Sequence, residues 1–277
     1  MAVTSYTYPV SAQTGNPASG SVAWTDPNNI KLNDGNNALA LAVSITISEV
    51  LRGYNFGFSF SGVTIDGIEA RYERSGVSCT TRIERLYNSS GNLVGTNKSD
   101  SASWGSLTTR TIGGASDLWG ASWSESSIES SNFGLGIQVD LFGSGGFPPS
   151  PGSGAVDYLQ IRVYYTLSAP TAPSGCTIDS IEVGSAMISW TDNASNETGF
   201  TLQKQTDGGG YSTIATLAAN VESYEDTVIA QGHTYQYRVR ADRTGASSSA
   251  YSTSSESSEV SGDTPTTPAR SRGIVMI

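Results

Sequence analysis

Residues 38–47 read ALALAVSITI: Leu39, Leu41, Val43, Ile45 and Ile47 alternate with Ala38, Ala40, Ala42, Ser44 and Thr46. A period of two belongs to a β-strand, whose successive side chains point to opposite faces, whereas a helix repeats every 3.6 residues. The large residues therefore share one face of a sheet. The small ones share the other, where they pack closely or face solvent. The same alternation returns in Phe56, Phe58 and Phe60, in Phe133, Leu135, Ile137, Val139 and Leu141, and in Leu159, Ile161, Val163 and Tyr165. Ile68, Ala70 and Tyr72 alternate with Glu69, Arg71 and Glu73, which predicts a solvated, cross-paired sheet face. Many short strands separated by Gly, Asn and Ser clusters make a sandwich or a barrel. Residues 1–167 are accordingly expected to form a jelly-roll-like β-sandwich of eight or more strands.

The rest of the composition agrees with an all-β chain. The 277 residues include 31 Gly, and only 14% are charged. That length allows about two domains. With 37% hydrophobic residues the chain can bury a core. A net charge of −10 argues against a protein that grips nucleic acid or anionic lipid by charge. No run of about 18 apolar residues is present, so membrane insertion is not expected. Residues 1–7 show neither a basic nor an apolar signal region, which predicts synthesis in the cytoplasm without a signal peptide. Cys79 and Cys176 are 97 positions apart, in different halves of the chain, and read as two buried free thiols.

The run 142–154, FGSGGFPPSPGSG, breaks any ladder and is expected to be an irregular loop between two strands. A Pro-punctuated linker around Pro170 and Pro173 opens a second domain, residues 168–263. Its quoted runs are Ile188-Ser189-Trp190-Thr191-Asp192-Asn193, Glu197-Thr198-Gly199-Phe200, Tyr224-Glu225-Asp226-Thr227 and Gly232-His233-Thr234-Tyr235-Gln236-Tyr237-Arg238-Val239-Arg240-Ala241. In order and spacing they resemble a fibronectin type III module, an immunoglobulin-like β-sandwich. The resemblance implies that Trp190 lies in the core of the second strand and that Tyr235 is the corner tyrosine, its hydroxyl tied to backbone.

In the first domain, Trp24-Thr25-Asp26-Pro27-Asn28-Asn29, Ile65-Asp66-Gly67-Ile68 and Gly113-Gly114-Ala115-Ser116-Asp117-Leu118-Trp119-Gly120 resemble a β-sandwich of bacteriophage virion and tail-associated proteins. That resemblance implies a non-enzymatic virion structural protein decorating a head or tail surface. Its partners would be other virion proteins, namely capsid or tail subunits, further copies of itself in a homo-oligomer, and a cell-surface glycan. A virion surface also reconciles an adhesive composition with the lack of an export signal. The other reading is a bacterial cell-surface adhesin or carbohydrate-binding protein.

His233 is the single histidine, and no G-x-S-x-G elbow, P-loop or dinucleotide fingerprint accompanies it. One histidine and two distant cysteines cannot build the usual zinc clusters. Asp66, Glu69, Glu73, Asp117, Asp140 and Asp157 are the acids from which a glycosidase pair would have to come. No catalytic residue and no cofactor is expected. Calcium is the one cation considered, at Asp26 and Asp34 in Asn/Asp/Gly loops that read first as hairpin turns. Trp119 and Trp123, with Asp117 nearby, are the candidate sugar-stacking residues. The tail 264–277 joins a Thr/Pro spacer to Ile274, Val275, Met276 and Ile277, an apolar end expected to dock on a partner by strand addition.

Overall fold

A computed structural model describes residues 1–15, 21–146, 148–257 and 259–260. The chain divides into two compact units between Ser168 and Ala169. The tail residues Ile274, Val275, Met276 and Ile277 lie outside the described residues.

The strands of the first unit are β1 (Ala2–Val3), β2 (Ser11–Gly15), β3 (Ala38–Ala42), β4 (Ile45–Ile47), β5 (Val50–Tyr54), β6 (Val63–Val77), β7 (Cys79–Tyr87), β8 (Leu93–Val94), β9 (Thr108–Gly113), β10 (Gly134–Phe142) and β11 (Gly152–Leu167). A 3-10 turn, Pro27–Lys31, and a short helix α1, Glu125–Glu129, complete it. One sheet runs β3-β11-β6-β9, with β1 on the same edge of β11 as β3. The other runs β5-β10-β7-β8, with β4 beside β5 along β10 and β2 outside β5. If β4 and β5 are counted as one strand position and the appended β1 and β2 are set aside, eight positions remain. In chain order the sheets then read 1-8-3-6 and 2-7-4-5. That order is a jelly roll, two interleaved Greek keys closed into a double sheet.

The decisive stretch folds differently from its simplest reading. Residues 38–47 are two strands in two sheets, and Val43 and Ser44 carry the chain from one to the other. On β3 it is Ala38, Ala40 and Ala42 that are buried, while Leu39 and Leu41 are 38% and 50% exposed. The interior there is already filled. Ile30 belongs to the 3-10 turn that packs on β3, and Trp104 lies beside Gly154, the ladder partner of Ala40. Methyl groups are what the remaining space takes. Phe56, Phe58 and Phe60 form no strand. They are an unpaired run whose rings stack at 6.0 Å spacing against Phe133. The loop after β10 is shorter than its composition suggests, because Phe142 ends β10 and Gly152 to Gly154 begin β11.

Between the sheets the core is not wholly apolar. Glu84 of β7 has no exposed surface, and both of its carboxylate oxygens accept from Arg110 of β9, at 2.5 and 2.7 Å. The Tyr72 hydroxyl on β6 donates to the same carboxylate. Asp100 then bridges Arg110 and Arg74, at 2.7 and 3.2 Å. Burial, reinforced by the Glu84 charge, pushes the Tyr72 phenol well above its ordinary range.

The second unit has β12 (Ser174–Glu182), β13 (Ser185–Thr191), β14 (Gly199–Thr206), β15 (Ser212–Ala218), β16 (Ser223–Asp226), β17 (Tyr235–Asp242) and β18 (Ser252–Thr253). The sheets run β12-β13-β16 and β15-β14-β17-β18, which is the fibronectin type III arrangement. Trp190 on β13 is buried against Phe200. The Tyr235 hydroxyl accepts from Ala230 N at 2.9 Å and so forms the tyrosine corner. Asp226 is buried between Tyr237, which donates at 2.9 Å, and Lys204 at 2.7 Å. The unit is a fibronectin type III-like β-sandwich.

The inward alanine face of β3 gives a direct test. Ala40→Leu should cost about 1–3 kcal/mol by overpacking, while Leu41→Ser should change stability by less than about 0.5 kcal/mol. Urea unfolding reads both, and the opposite ranking would contradict the inward alanine face.

Candidate functional site

The residues singled out for sugar stacking prove to hold the fold. Trp119 is fully buried, so no ring face is free for a ligand. It adopts a left-handed backbone conformation at φ 58°, uncommon for a bulky residue. Its indole Nε1 donates to Ile68 O at 2.9 Å and its amide to Asp117 Oδ1 at 2.8 Å. Gly113 is needed beside it, since a Cβ there would lie 2.8 Å from the indole nitrogen and 2.1 Å from Ile68 O. Trp123 is half-buried, edge-on to Phe133, with its Nε1 donating to Leu118 O. Asp117 pairs with Lys98 at 2.5 Å. Burial opposes ionisation of Asp117, but the bonds from Lys98 and the Trp119 amide outweigh it and hold the carboxyl below its usual range.

The loop acids do not converge either. Asp26 precedes the 3-10 turn at φ 49° with no cap bond from its side chain, and Asp34 accepts from Asn36 N at 3.0 Å in an Asx turn. Among the described residues no group of three or more His, Cys, Asp or Glu gathers as metal ligands would. The acids considered for glycoside chemistry are dispersed among separate partners: Asp66 with Thr166, Asp140 with Arg82, Asp117 with Lys98, and Glu69 with Arg162. Glu125 and Glu129 share a shallow pocket, yet each accepts a backbone N–H, from Val63 and Phe60 respectively. His233 pairs with Asp207 at 2.5 Å on the surface, and the other donor to that carboxylate is Thr234.

Two surfaces remain that pattern reading did not single out. The first is the outer face of β6 and β11 with the segment after β1. The guanidinium carbons of Arg71 and Arg162 lie 3.8 and 4.5 Å from the centre of the Tyr6 ring. Beneath them Glu69 accepts from Tyr6, from Arg162 at 2.9 Å and from Tyr164 at 3.1 Å. Burial pushes the Tyr6 phenol up to about 12, and the bond to Glu69 adds to the shift. Burial also works against ionised Glu69, but the three donors prevail and lower its pKa. The face predicted to be simply solvated is thus a knitted tyrosine–arginine layer. Its signal was Tyr6, far from Glu69 in sequence and placed there by pairing of the N-terminal segment with β11.

The second surface is an apolar corner. Leu41, Ser153 and Val77 stand in one row across the first sheet, and Ile45 and Phe142 in one row across the second. Phe142 N donates to Ser78 O, and Gly143 abuts Val43, so the two rows meet. Ile45 is 77% exposed, and Val43, Val77 and Phe142 are exposed as well. Clustered exposed apolar side chains of this kind mark contact surfaces.

No family model matches the chain, and no curated protein matches it. Among solved structures it is similar to a Fn3-like protein from Clostridium thermocellum, at 30% identity over 31% of this chain and 93% of that one, with a TM-score of 0.25. The FN1–FN3 domains of chicken CNTN1 match at 20% identity over 34% of this chain and 33% of theirs, with a TM-score of 0.30. The twitchin kinase region from C. elegans matches at 22% identity over 34% of this chain and 17% of its own, with a TM-score of 0.30. The chain therefore spans a third or less of the last two proteins. The class of the second unit rests on its strand order, Trp190 and the Tyr235 corner.

Both cysteines are buried and free, and burial pushes their thiols up, to about 12 for Cys79 and about 11 for Cys176. Raised values keep them as inert thiols at neutral pH. Ellman's reagent at pH 8 should leave the native protein unlabelled and titrate both thiols after unfolding. Rapid labelling of the native chain would contradict this burial.

Proposed function

We propose that the chain is a non-enzymatic structural protein of a bacteriophage virion, decorating the head or tail surface and contributing adhesion to host or surface glycans. The observation that carries this reading is the organisation itself: a jelly roll with an exposed apolar corner, in one chain with a fibronectin type III-like sandwich. Jelly rolls serve viral capsid and lectin domains alike, a parallel at the level of fold. The apolar corner supplies contact area for a neighbouring capsid or tail subunit, or for a further copy of the chain. The apolar sequence 274–277 offers a strand-adding end. On the glycan side, sugar contact falls to the half-buried tyrosine–arginine layer rather than to Trp119. Asp66, Glu69, Asp117 and Asp140 each have a separate partner in the fold, the cysteines are buried and His233 is paired with Asp207, which speaks against catalysis. The second reading, a bacterial surface adhesin or carbohydrate-binding protein, draws on that same layer.

Electron microscopy of a producing culture with gold-labelled antibody separates the two. Gold on released particles supports the virion role and places it on head or tail. Gold confined to cell envelopes overturns that role in favour of the adhesin.

A further inference from the structure

Asp157 is 2% exposed and has no cationic partner among the described residues. It lies at a break in the ladder. Val156 and Leu159 of β11 pair with Arg74 and Tyr72 of β6, so Asp157 and Tyr158 together stand opposite Glu73 alone. A bulge of this kind re-aims a side chain. On the other edge Val156 pairs with Ala38, which brings Asp157 opposite Asn37, one step beyond the last pair of the β3–β11 ladder.

Both facing residues carry a buried oxygen without a hydrogen-bond partner, Asp157 Oδ1 and Asn37 Oδ1. The second oxygen of Asp157 accepts from Gly35 N at 3.3 Å. The Asn37 amide is oriented by its own Nδ2, which donates to Gly35 O at 3.2 Å, and its backbone carbonyl accepts from Asn29 at 3.0 Å. The turn 33–37 is thereby folded over the carboxylate. Each of these two facing residues thus keeps one buried acceptor oxygen that no donor among the described residues satisfies, and one of them is an acid withdrawn from water without a counter-charge. Such a group is strongly disfavoured unless a cation joins it.

We infer that this is a Ca²⁺ site, with Asp157 and Asn37 Oδ1 as side-chain ligands and the turn 33–37 closing over the ion. The donors are all oxygen, which selects a hard cation over zinc. Amide and carbonyl oxygens on a loop suit the larger, less demanding Ca²⁺ better than Mg²⁺. With a single carboxylate the affinity belongs to the weak class, with a Kd of about 0.1–1 mM. Asp34 takes no part through its side chain, which is committed to Asn36 N. The ion would fasten the turn to β11 and complete that edge of the first sheet.

The test is calorimetric titration of the EDTA-treated full chain with CaCl₂, together with thermal unfolding in CaCl₂ and in EDTA. One site of that affinity is expected, with the first unit melting about 3–10 °C higher at about 10 mM Ca²⁺. Asp157→Asn should abolish the heat and the Ca²⁺-dependent shift, yet melt in EDTA no lower than the parent, because the unpaired charge is gone. Asn37→Asp should bind at least about tenfold tighter and melt lower in EDTA. Absence of heat with identical melting in both buffers would overturn the site, and so would an Asp157→Asn chain that keeps the Ca²⁺ shift. If Asp157→Asn does not fold, an Asn37→Asp chain that melts lower whether or not Ca²⁺ is present gives the same negative answer.

Discussion

A carboxylate with no exposed surface lies between the two sheets of the first unit, and one flank of the jelly roll is arranged around it. Glu84 comes from β7 in one sheet, and Arg110 and Tyr72 from β9 and β6 in the other. Its backbone is bound as well: Glu84 N donates to Asn97 Oδ1 at 2.8 Å, and Glu84 O accepts from Lys98 N at 2.9 Å. Lys98 in turn gives its carbonyl to Arg110 and its ammonium to Asp117, which caps the Trp119 amide. One buried ion pair thus connects both sheets, the segment between β8 and β9, and the strained tryptophan. Removing one partner of such a pair leaves a buried charge unmet, typically at about 3–5 kcal/mol. A pair that demanding permits few alternative registers.

The same network explains why one acid and two tryptophans mislead as candidate ligands. Asp117, Trp119 and Trp123 sit in a loop-rich run, where exposed aromatics would suit a sugar. What pattern cannot convey is that Gly113 and Gly95 let the chain approach Trp119 so closely that the ring is enclosed. Period-two patterning located β10 and β11 well, since Leu135, Ile137, Val139, Leu159, Ile161 and Val163 are all buried. It could not say which face of β3 turns inward, because alternation defines two faces and the packing partner chooses between them. Nor does it show that Val43 and Ser44 change sheets. The second unit was more legible, as Trp190 and Tyr235 occupy the core and corner positions that their local sequence implied.

Both units turn chemistry-bearing residues to architectural use. Glu84, Asp226 and Glu69 are each buried and bound by a cation and a tyrosine hydroxyl, the first two in the core and the third beneath the tyrosine–arginine layer of a sheet face. Arg238 in the second unit lies 4.0 and 4.1 Å from the rings of Tyr211 and Tyr251, repeating the tyrosine–arginine stacking of the first. Arg71, Arg162 and Arg238 are thus engaged on aromatic rings, in a chain of net charge −10. Recognition by such surfaces depends on flat aromatic and guanidinium groups and on apolar contact rather than on long-range attraction.

Native-state hydrogen exchange tests the role of the Glu84 clamp most directly. The amides of Glu84, Lys98 and Trp119 should exchange only through global unfolding of the first unit, at the rate of the β10 core, and Glu84→Gln should release all three together. Exchange of Lys98 and Trp119 far ahead of the β10 core in the parent protein would contradict the clamp, and so would a Glu84→Gln chain with unchanged protection at those sites.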